Sequence, residues 1–350
     1  MIRKVVAAVA VLVMVLGILG SFIAMGQVET PRAAGANQLV SMLPASDVVV
    51  VGDGKRFFTE APKLLAANQK LLGELFGKLD EVQAKTGVDL RKFDTFAAGA
   101  VVKKLEGPGH KVSPVVIARG SADSAVLIEA AKKVAEGKAK QETVAGRTMY
   151  VVSAKDAMEL AKKHAPVSAN SNKVEDKVAH VMDDLAISAT DSNTVVFGYA
   201  SRVRETLEAK SKVSDDLLGL LAKKPAGIAN FAAKVPGGMS ELLPLDNDDL
   251  GAIINSVKAI YGAADVANGQ ATVSLTAVTE KPQQAEELKG TLDGLKALGR
   301  SMLGASKGAD KKLYAKLLDS VQLSNAGNEL NLDLAIPQGD IDAIVAIFKK

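Results

Sequence analysis

Few residues of this chain stand at spacings that could support chemistry. The histidines His110, His164 and His180 lack the i, i+4 spacing that puts two imidazoles on one metal ion, so they are interpreted as surface or helix-end residues. The sequence contains no Cys, which excludes disulfides, thiolate metal sites and a Cys nucleophile. It also lacks H-E-x-x-H, P-loop and G-x-G-x-x-G patterns. We therefore predict no catalytic residue and a non-enzymatic role.

One acidic cluster, Asp246-Asn247-Asp248-Asp249, has the oxygen ligands that Ca²⁺ prefers. In an EF-hand loop starting at Asp246, the fifth and twelfth positions are Leu250 and Val257, so the ligand pattern fails. These acids are expected to cap the following helix and to charge its first turn. An irregular calcium site is the alternative. Gly52-Asp53-Gly54 is interpreted as a strand-ending turn and not as a pyrophosphate loop, so no cofactor is predicted.

The charge composition argues against binding to nucleic acid. Of the 43 Lys and Arg residues, Arg3 and Lys4 lie at the extreme N-terminus, which leaves 41 basic against 40 acidic residues. Trp is absent and aromatic residues make up 4% of the chain, so a stacking platform for bases is not expected.

The elements that would have to position any site follow an N-terminal apolar stretch, Val5 to Met25. Its 21 residues carry no charge, and as a helix they would span the ~30 Å hydrocarbon core of a bilayer. Because Arg3 and Lys4 precede it, the N-terminus is expected in the cytoplasm and the rest of the chain outside. Residues 1–26 are thus predicted to be a signal anchor, with a cleaved signal peptide and a secreted or periplasmic product as the alternative. The large apolar residues that would contact lipid include Val5, Leu12, Leu16, Ile18, Phe22 and Met25.

The remaining chain is predicted to be α+β, with antiparallel sheets packed on helices. Residues 27–40 are expected to form a stalk, followed by two similar halves at 41–212 and 213–350, each with strand, helix and hairpin in turn. Asn331 and Asp333 alternate with leucines, which predicts one sheet face that is solvated or lines a groove and another face covered by helices.

Individual elements follow from periodicity and turn chemistry. Apolar residues at spacings of three and four predict one long helix from Phe57 to Val82, and a further helix is expected around Leu250 to Tyr261. Ala145-Gly146 and Asn268-Gly269 are predicted to be hairpin turns.

The segment Leu43-Pro44-Ala45-Ser46-Asp47, with Thr86-Gly87-Val88-Asp89-Leu90 and Phe93-Asp94 further on, resembles uncharacterised exported bacterial proteins. In those proteins the mature region opens with a Leu-Pro-Ala-x-Asp segment that leads into a strand. The resemblance covers residues 40 to 120 and implies an envelope location and an α+β fold. It assigns no site residue, and Ser46 stands where such proteins commonly have Asp.

These observations predict a membrane-tethered protein of the cell envelope that binds a protein partner or has a scaffolding role. The loop from Pro236 to Pro244 would expose Met239, Leu242 and Leu243 for such contacts. One alternative is an exported binder of lipid or another apolar ligand, with a cavity between sheet and helices. A hydrolase is the third hypothesis, and it would need a buried carboxylate pair with perturbed pKa values.

Overall fold

The computed structural model describes residues 34–65, 68–104, 110–164, 182–224, 227–237, 251, 254–267, 269–304 and 309–348. The chain divides into two compact units. The first unit contains Ala33–Lys55 and Gly73–Asp215, and the second contains Arg56–Leu72 and Asp216–Lys350. Both combine helices with antiparallel strands, so the predicted α+β class is confirmed.

The first unit is built on an antiparallel sheet with strand order β1-β2-β3-β7-β6-β5-β4. The chain enters the second unit near the start of helix α2, at Arg56, and returns to the first unit within helix α3, after Leu72. In chain order the elements are α1 (Ala34–Met42), β1 (Val48–Asp53), α2 (Gly54–Leu64), α3 (Gln69–Thr86), β2 (Phe93–Lys104), β3 (His110–Gly120), α4 (Ser124–Val134), β4 (Lys140–Val144), β5 (Arg147–Val152), α5 (Ala154–His164), β6 (Leu185–Asp191), β7 (Thr194–Tyr199) and α6 (Ala200–Glu208).

The second unit has an antiparallel sheet with strand order β8-β9-β10-β12-β11. Helices α8 and α9 pack against each other and against this sheet. The elements are α7 (Asp215–Ala222), β8 (Ala229–Lys234), β9 (Val257–Ala267), β10 (Gln270–Thr279), α8 (Pro282–Gly304), α9 (Ala309–Ser320), β11 (Gln322–Ala326), β12 (Glu329–Pro337) and α10 (Gln338–Phe348).

Helix α1 corrects part of the stalk predicted at residues 27–40. Residues 34–40 are helical, and Leu39 and Val40 are buried where α1 packs on β1 and β2. This stretch has few apolar residues at helical spacing, so periodicity does not predict a helix here. The buried side chains of Leu39 and Val40 nevertheless hold α1 against the sheet. Residues 27–33 lie outside the described residues.

The single helix expected from Phe57 to Val82 is wrong, because the structure has two helices, α2 and α3. Pro62 lies inside α2 and has no N–H to continue the helical hydrogen bonds, and α2 ends two residues later at Leu64. The backbone N–H of Asn68 then bonds the carbonyl oxygen of Leu65 at 2.7 Å.

The helix expected around Leu250 to Tyr261 is also wrong at its C-terminal end. Residues 257–261 begin strand β9, which pairs with β8 on one side and β10 on the other. Sheet pairing on both sides outweighs a weak helical preference in so short a stretch. Leu250 itself lies outside the described residues.

The hairpin turns follow the predicted chemistry. Ala145 and Gly146 have φ values of 48° and 76° between β4 and β5, as a type I′ turn requires. Gly269 has φ of 73° between β9 and β10, and the pairing of these two strands confirms the predicted hairpin. Asn268 lies outside the described residues.

Candidate functional site

The strand-opening segment, Leu43–Asp47, is fixed to β2 before β1 begins. Leu43 is fully buried, and the Ser46 hydroxyl donates a hydrogen bond to the carbonyl oxygen of Pro44 at 2.9 Å. The Asp47 carboxylate accepts a hydrogen bond from the N–H of Val102 at 2.9 Å, and the Asp47 N–H donates to the carbonyl oxygen of Ala100 at 2.8 Å. The segment therefore carries its own local hydrogen bonds and sets the register of β1 on β2.

A buried arginine from helix α6 holds this segment from the other side. Arg202 is 5% exposed, and its Nη2 donates to the carbonyl oxygen of Ala45 at 2.6 Å and to the Ser46 hydroxyl at 3.1 Å. Its Nη1 pairs with the carboxylate of Glu205. The N–H of Ala45 donates to the hydroxyl of Ser211 at 3.2 Å. The strand-opening segment is thus a structural junction in this chain.

The strand-opening segment lies close against β2 at Gly99. A Cβ atom added to Gly99 would come within 2.5 Å of the Ser46 hydroxyl, so this glycine allows the segment to approach β2 closely. The Nε atom of Arg202 is buried and has no hydrogen-bond partner among the described residues.

One face of the second-unit sheet is polar, as the alternation of Asn331 and Asp333 with leucines predicts. Tyr261 of β9, Thr276 of β10, Asn331 of β12 and Ser324 of β11 lie directly opposite one another in the strand register. Side chains on one face of a sheet recur every second residue, so the same face carries further polar groups. These are Asp265, Thr272, Ser274, Glu329 and Asp333.

Six residues on or beside this face, five of them joined by hydrogen bonds and Lys224 by a cation–π contact, form a group that we call the Glu329 cluster. The Tyr261 hydroxyl donates to one carboxylate oxygen of Glu329 at 2.9 Å, and the Lys223 ammonium bonds the other. The Thr276 hydroxyl donates to the side-chain oxygen of Asn331 at 2.6 Å. Tyr261 and Thr276 are buried. The members are Lys223, Lys224, Tyr261, Thr276, Glu329 and Asn331.

The electrostatics of the cluster favour a charged carboxylate beside a neutral phenol. Burial alone would raise the pKa of Glu329, but the hydrogen bonds from Lys223 and Tyr261, with the charges of Lys223 and Lys224, leave that pKa below its ordinary value. Burial raises the pKa of the Tyr261 phenol. The ammonium groups of Lys223 and Lys224 lie 5.4 and 5.7 Å from the centre of the Tyr261 ring, which is within cation–π range.

A shallow depression of about 470 Å³ lies along helix α4, lined by Ala125, Val126, Glu129, Ala130 and Lys133. The lining residues that the structure describes belong to one helix, and Val126 is half exposed. It therefore differs from the cavity between sheet and helices that the lipid-binding hypothesis requires. Among the residues that the structure describes, no group of three or more His, Asp or Glu side chains could hold a metal ion.

Three large apolar side chains of the second unit are exposed to solvent. Leu298 and Met302, one turn apart on α8, are 50% and 40% exposed, and Tyr314 on α9 is 41% exposed. Apolar residues recur at helical spacing on α8 from Ala285 to Met302, but of these only Ala285 and Leu288, at the N-terminal end, are buried. The spacing alone gives no signal that the C-terminal part of this stripe is exposed.

The structure does not place the sequence-predicted site residues. Val5, Leu12, Leu16, Ile18, Phe22 and Met25 of the apolar stretch lie outside the described residues, as do Met239, Leu242 and Leu243 of the predicted interaction loop. The acidic cluster at 246–249 and His180 also lie outside them. Within the described parts of the chain, no helix is long and apolar enough to cross a membrane. Sequence reasoning missed Arg202 and the Glu329 cluster, whose partners are distant in the chain.

Comparison with known proteins leaves the family of this chain unassigned. No family model matches the sequence, and no curated protein matches it. Three crystal forms of one protein, TP0453, align with most of the chain. Form III has 8% sequence identity and a TM-score of 0.43, and covers 87% of this chain and 96% of that chain. Form IV has 9% identity and a TM-score of 0.42, covering 87% and 95%, and form I has 8% and 0.39, covering 88% and 96%. Similarity at these TM-scores carries no conclusion about this chain.

Proposed function

We propose that this chain is a membrane-tethered, extracytoplasmic protein of the cell envelope that binds a protein partner or acts as a scaffold, without enzymatic activity. The observation that carries the proposal is the uncharged stretch from Val5 to Met25, preceded by Arg3 and Lys4. The resemblance of the strand-opening segment to exported proteins supports the same location. The proposal includes residues 1–26 as a transmembrane helix and two similar halves at 41–212 and 213–350. Each of these halves contains a hairpin closed by a two-residue turn, β4–β5 or β11–β12.

The exposed apolar side chains of α8 and α9 support a role in partner binding. Leu298, Met302 and Tyr314 keep 40% or more of their surface in solvent, and large apolar residues are enriched where proteins meet partners. The predicted loop with Met239, Leu242 and Leu243 would add further apolar contacts.

The Glu329 cluster supports a non-enzymatic role. It is a partly buried group of ionisable side chains, yet its carboxylate and phenol are each other's hydrogen-bond partners. Lys223 and Tyr261 each bond one oxygen of Glu329, and the pKa of this carboxylate lies below its ordinary value. A general base acts best when its pKa is near the working pH, so Glu329 is poorly suited to that role.

The location is tested by intact-mass analysis of the full chain recovered separately from membrane and soluble envelope fractions. We expect the uncleaved mass in the membrane fraction, with the C-terminal region accessible to protease added from outside the cytoplasm. Leu12→Arg with Leu16→Arg should move the chain out of the membrane, because each arginine costs about 2.5–3.5 kcal/mol at the centre of a membrane helix. Leu12→Ile with Leu16→Ile is the matched control.

Two outcomes would overturn the proposal. An uncleaved chain in the soluble fraction would remove the tether, and a shortened soluble form that carries lipid mass would favour a released carrier of apolar ligands. The partner-binding part is tested on the membrane form extracted in mild detergent, which we expect to migrate as a complex larger than 36.4 kDa. Migration as the lone chain would contradict it.

A further inference from the structure

Strand β4 is the last strand in the order given for the first unit, and β11 is the last strand in the order given for the second unit. Among the described residues, β4 has β5 as its ladder partner and β11 has β12. Both strands are five residues long, and both belong to hairpins with two-residue turns. The outer side of such a strand presents backbone N–H and C=O groups to which another strand can pair.

The hairpin geometry identifies which groups of β11 face outward. Ala326 and Glu329 flank the turn and pair with each other. In a two-residue hairpin that flanking pair exchanges both backbone hydrogen bonds, and hydrogen-bonded pairs then alternate with non-hydrogen-bonded pairs along the ladder. Leu323 and Asn325 therefore direct their N–H and C=O groups away from β12.

These outward groups are complementary to those of a second copy of the same strand. In an antiparallel pair related by a two-fold axis through Ser324, Leu323 of each copy would exchange backbone hydrogen bonds with Asn325 of the other. Ser324 would face its own counterpart at a non-hydrogen-bonded position, where the Cα atoms lie about 4.5 Å apart. Ser324 and Asn325 are exposed, and β11 contains no charged residue and no proline.

Strand β4 has the same geometry but is protected against self-pairing. Val144 and Arg147 flank its turn, so Gln141 and Thr143 face outward and the equivalent two-fold axis passes through Glu142. Self-pairing would place two Glu142 carboxylates opposite each other, and like charges at such positions destabilise the pair. Glu142 also bonds Arg204 at 2.6 Å, a contact that a neighbouring strand would crowd.

We propose that the outer side of β11 is a self-association edge, at which two copies of this chain pair antiparallel about Ser324. One uncharged strand supplies both sides of the contact, whereas β4 carries the charge that prevents it. Confinement to a membrane would raise the effective concentration of copies and favour a contact this short. The inference goes beyond the proposed function and does not depend on the anchor, because both strands belong to the described part of the chain.

Single-cysteine variants of the full chain in mild detergent test the register. Because the natural sequence has no Cys, Ser324→Cys introduces the only thiol of the chain, so no disulfide can form within one copy. The expected Cα separation lies within the roughly 4.4–6.8 Å range of disulfides. Mild oxidation should give a covalent dimer of twice the 36.4 kDa chain mass. Gln322→Cys, at an exposed position of the same strand, is the control: in this register it lies opposite Ala326 of the other copy, so its two thiols are too far apart and it should give no covalent dimer.

A second variant tests the association without a crosslink. Ser324→Glu would place two carboxylates opposite each other and should weaken the dimer about two- to fivefold in sedimentation velocity, while Ser324→Gln should not. Both substitutions fall on an exposed residue, and far-UV circular dichroism checks that the fold is kept. Equal crosslinking of the two cysteine variants, a crosslink to a different protein, or an unchanged dimer population in Ser324→Glu would each overturn the proposal.

Discussion

Replacing Arg202 by Met tests whether the hydrogen bonds from Arg202 to the strand-opening segment stabilise the first unit. Met is close to Arg in length and can fill the same buried space, but it donates no hydrogen bond. The substitution leaves the carbonyl oxygen of Ala45 without the donor that now lies at 2.6 Å, and the Ser46 hydroxyl without the donor at 3.1 Å. The Ser46 hydroxyl keeps its own bond to Pro44.

The magnitude follows from opposing contributions. A hydrogen bond from a charged donor contributes about 1.5–3 kcal/mol, and the substitution removes one part-buried bond of this kind to Ala45 and one buried bond to Ser46. The pair with Glu205 contributes about 1 kcal/mol at most, because the Glu205 side chain is 44% exposed. The substitution also removes the desolvation cost of the buried guanidinium, which offsets part of the lost free energy of unfolding, because apolar residues sometimes replace buried ions without penalty. We therefore expect the free energy of unfolding to fall by about 2–4 kcal/mol.

Arg204→Met is the matched control, because it makes the same change two residues further along helix α6. The Arg204 side chain is 40% exposed and pairs with Glu142, so its loss should cost less than about 1 kcal/mol. Urea unfolding of the full chain in mild detergent, followed by far-UV circular dichroism, gives both values, since the chain has no Trp for fluorescence. Equal unfolding midpoints for the two variants would refute the reasoning, because the buried hydrogen bonds would then contribute no more than a surface ion pair.

Two further perturbations concern the second unit. The pKa of Glu329 is lower in the folded chain than its ordinary value, so its contribution to stability is present above the ordinary glutamate pKa of about 4.3 and is lost as the pH falls through the lower folded value. Glu329→Gln should therefore lower the urea midpoint at neutral pH and should differ progressively less from the natural chain below about pH 4; a constant difference would show that the charge is irrelevant. Gly262→Ala should destabilise the unit by about 1–3 kcal/mol, because the added Cβ would lie 2.4 Å from the carbonyl oxygen of Ser274. Gly294→Ala, in α8 with no atom within 4 Å of the added Cβ, should instead be stabilising by about 0.5–1 kcal/mol, and a loss of stability at both positions would contradict the steric argument.

Local sequence signals predicted the elements that depend on neighbouring residues. The turn at Ala145-Gly146 needs only two positive φ values, and the alternation of Asn331 and Asp333 with leucines needs only the two-residue period of a strand. The break between α2 and α3 was also readable, since Pro62 stands inside the helical pattern, but the apolar spacing on either side suggested continuity.

The candidate sites depend on contacts that have no local signal. Arg202 bonds Ala45 across 157 positions of sequence, and a single arginine near the start of a helix has the composition of an ordinary surface residue. Lys223 and Glu329 are 106 positions apart, and only the register of β9, β10 and β12 brings Tyr261 and Glu329 to the same face. Pairing order among distant strands was not available from periodicity, because the period identifies a strand but not its neighbour.

The route of the chain between its two units sets the order in which they can be completed as the polypeptide is made. Leu64 and Leu65 of the second unit are synthesised early, yet they pack against Ile228 and Val266. The carbonyl oxygen of Leu64 accepts a hydrogen bond from the side chain of Gln338, 274 positions later. All parts of the first unit have been synthesised once the ribosome has added Asp215. The 56–72 segment, in contrast, completes its native contacts only after residues as late as Gln338 have been synthesised. The apolar side chains of this segment, such as Leu64 and Leu65, would therefore lack their native contacts for most of synthesis, and a chaperone that binds exposed apolar residues would act at this stage.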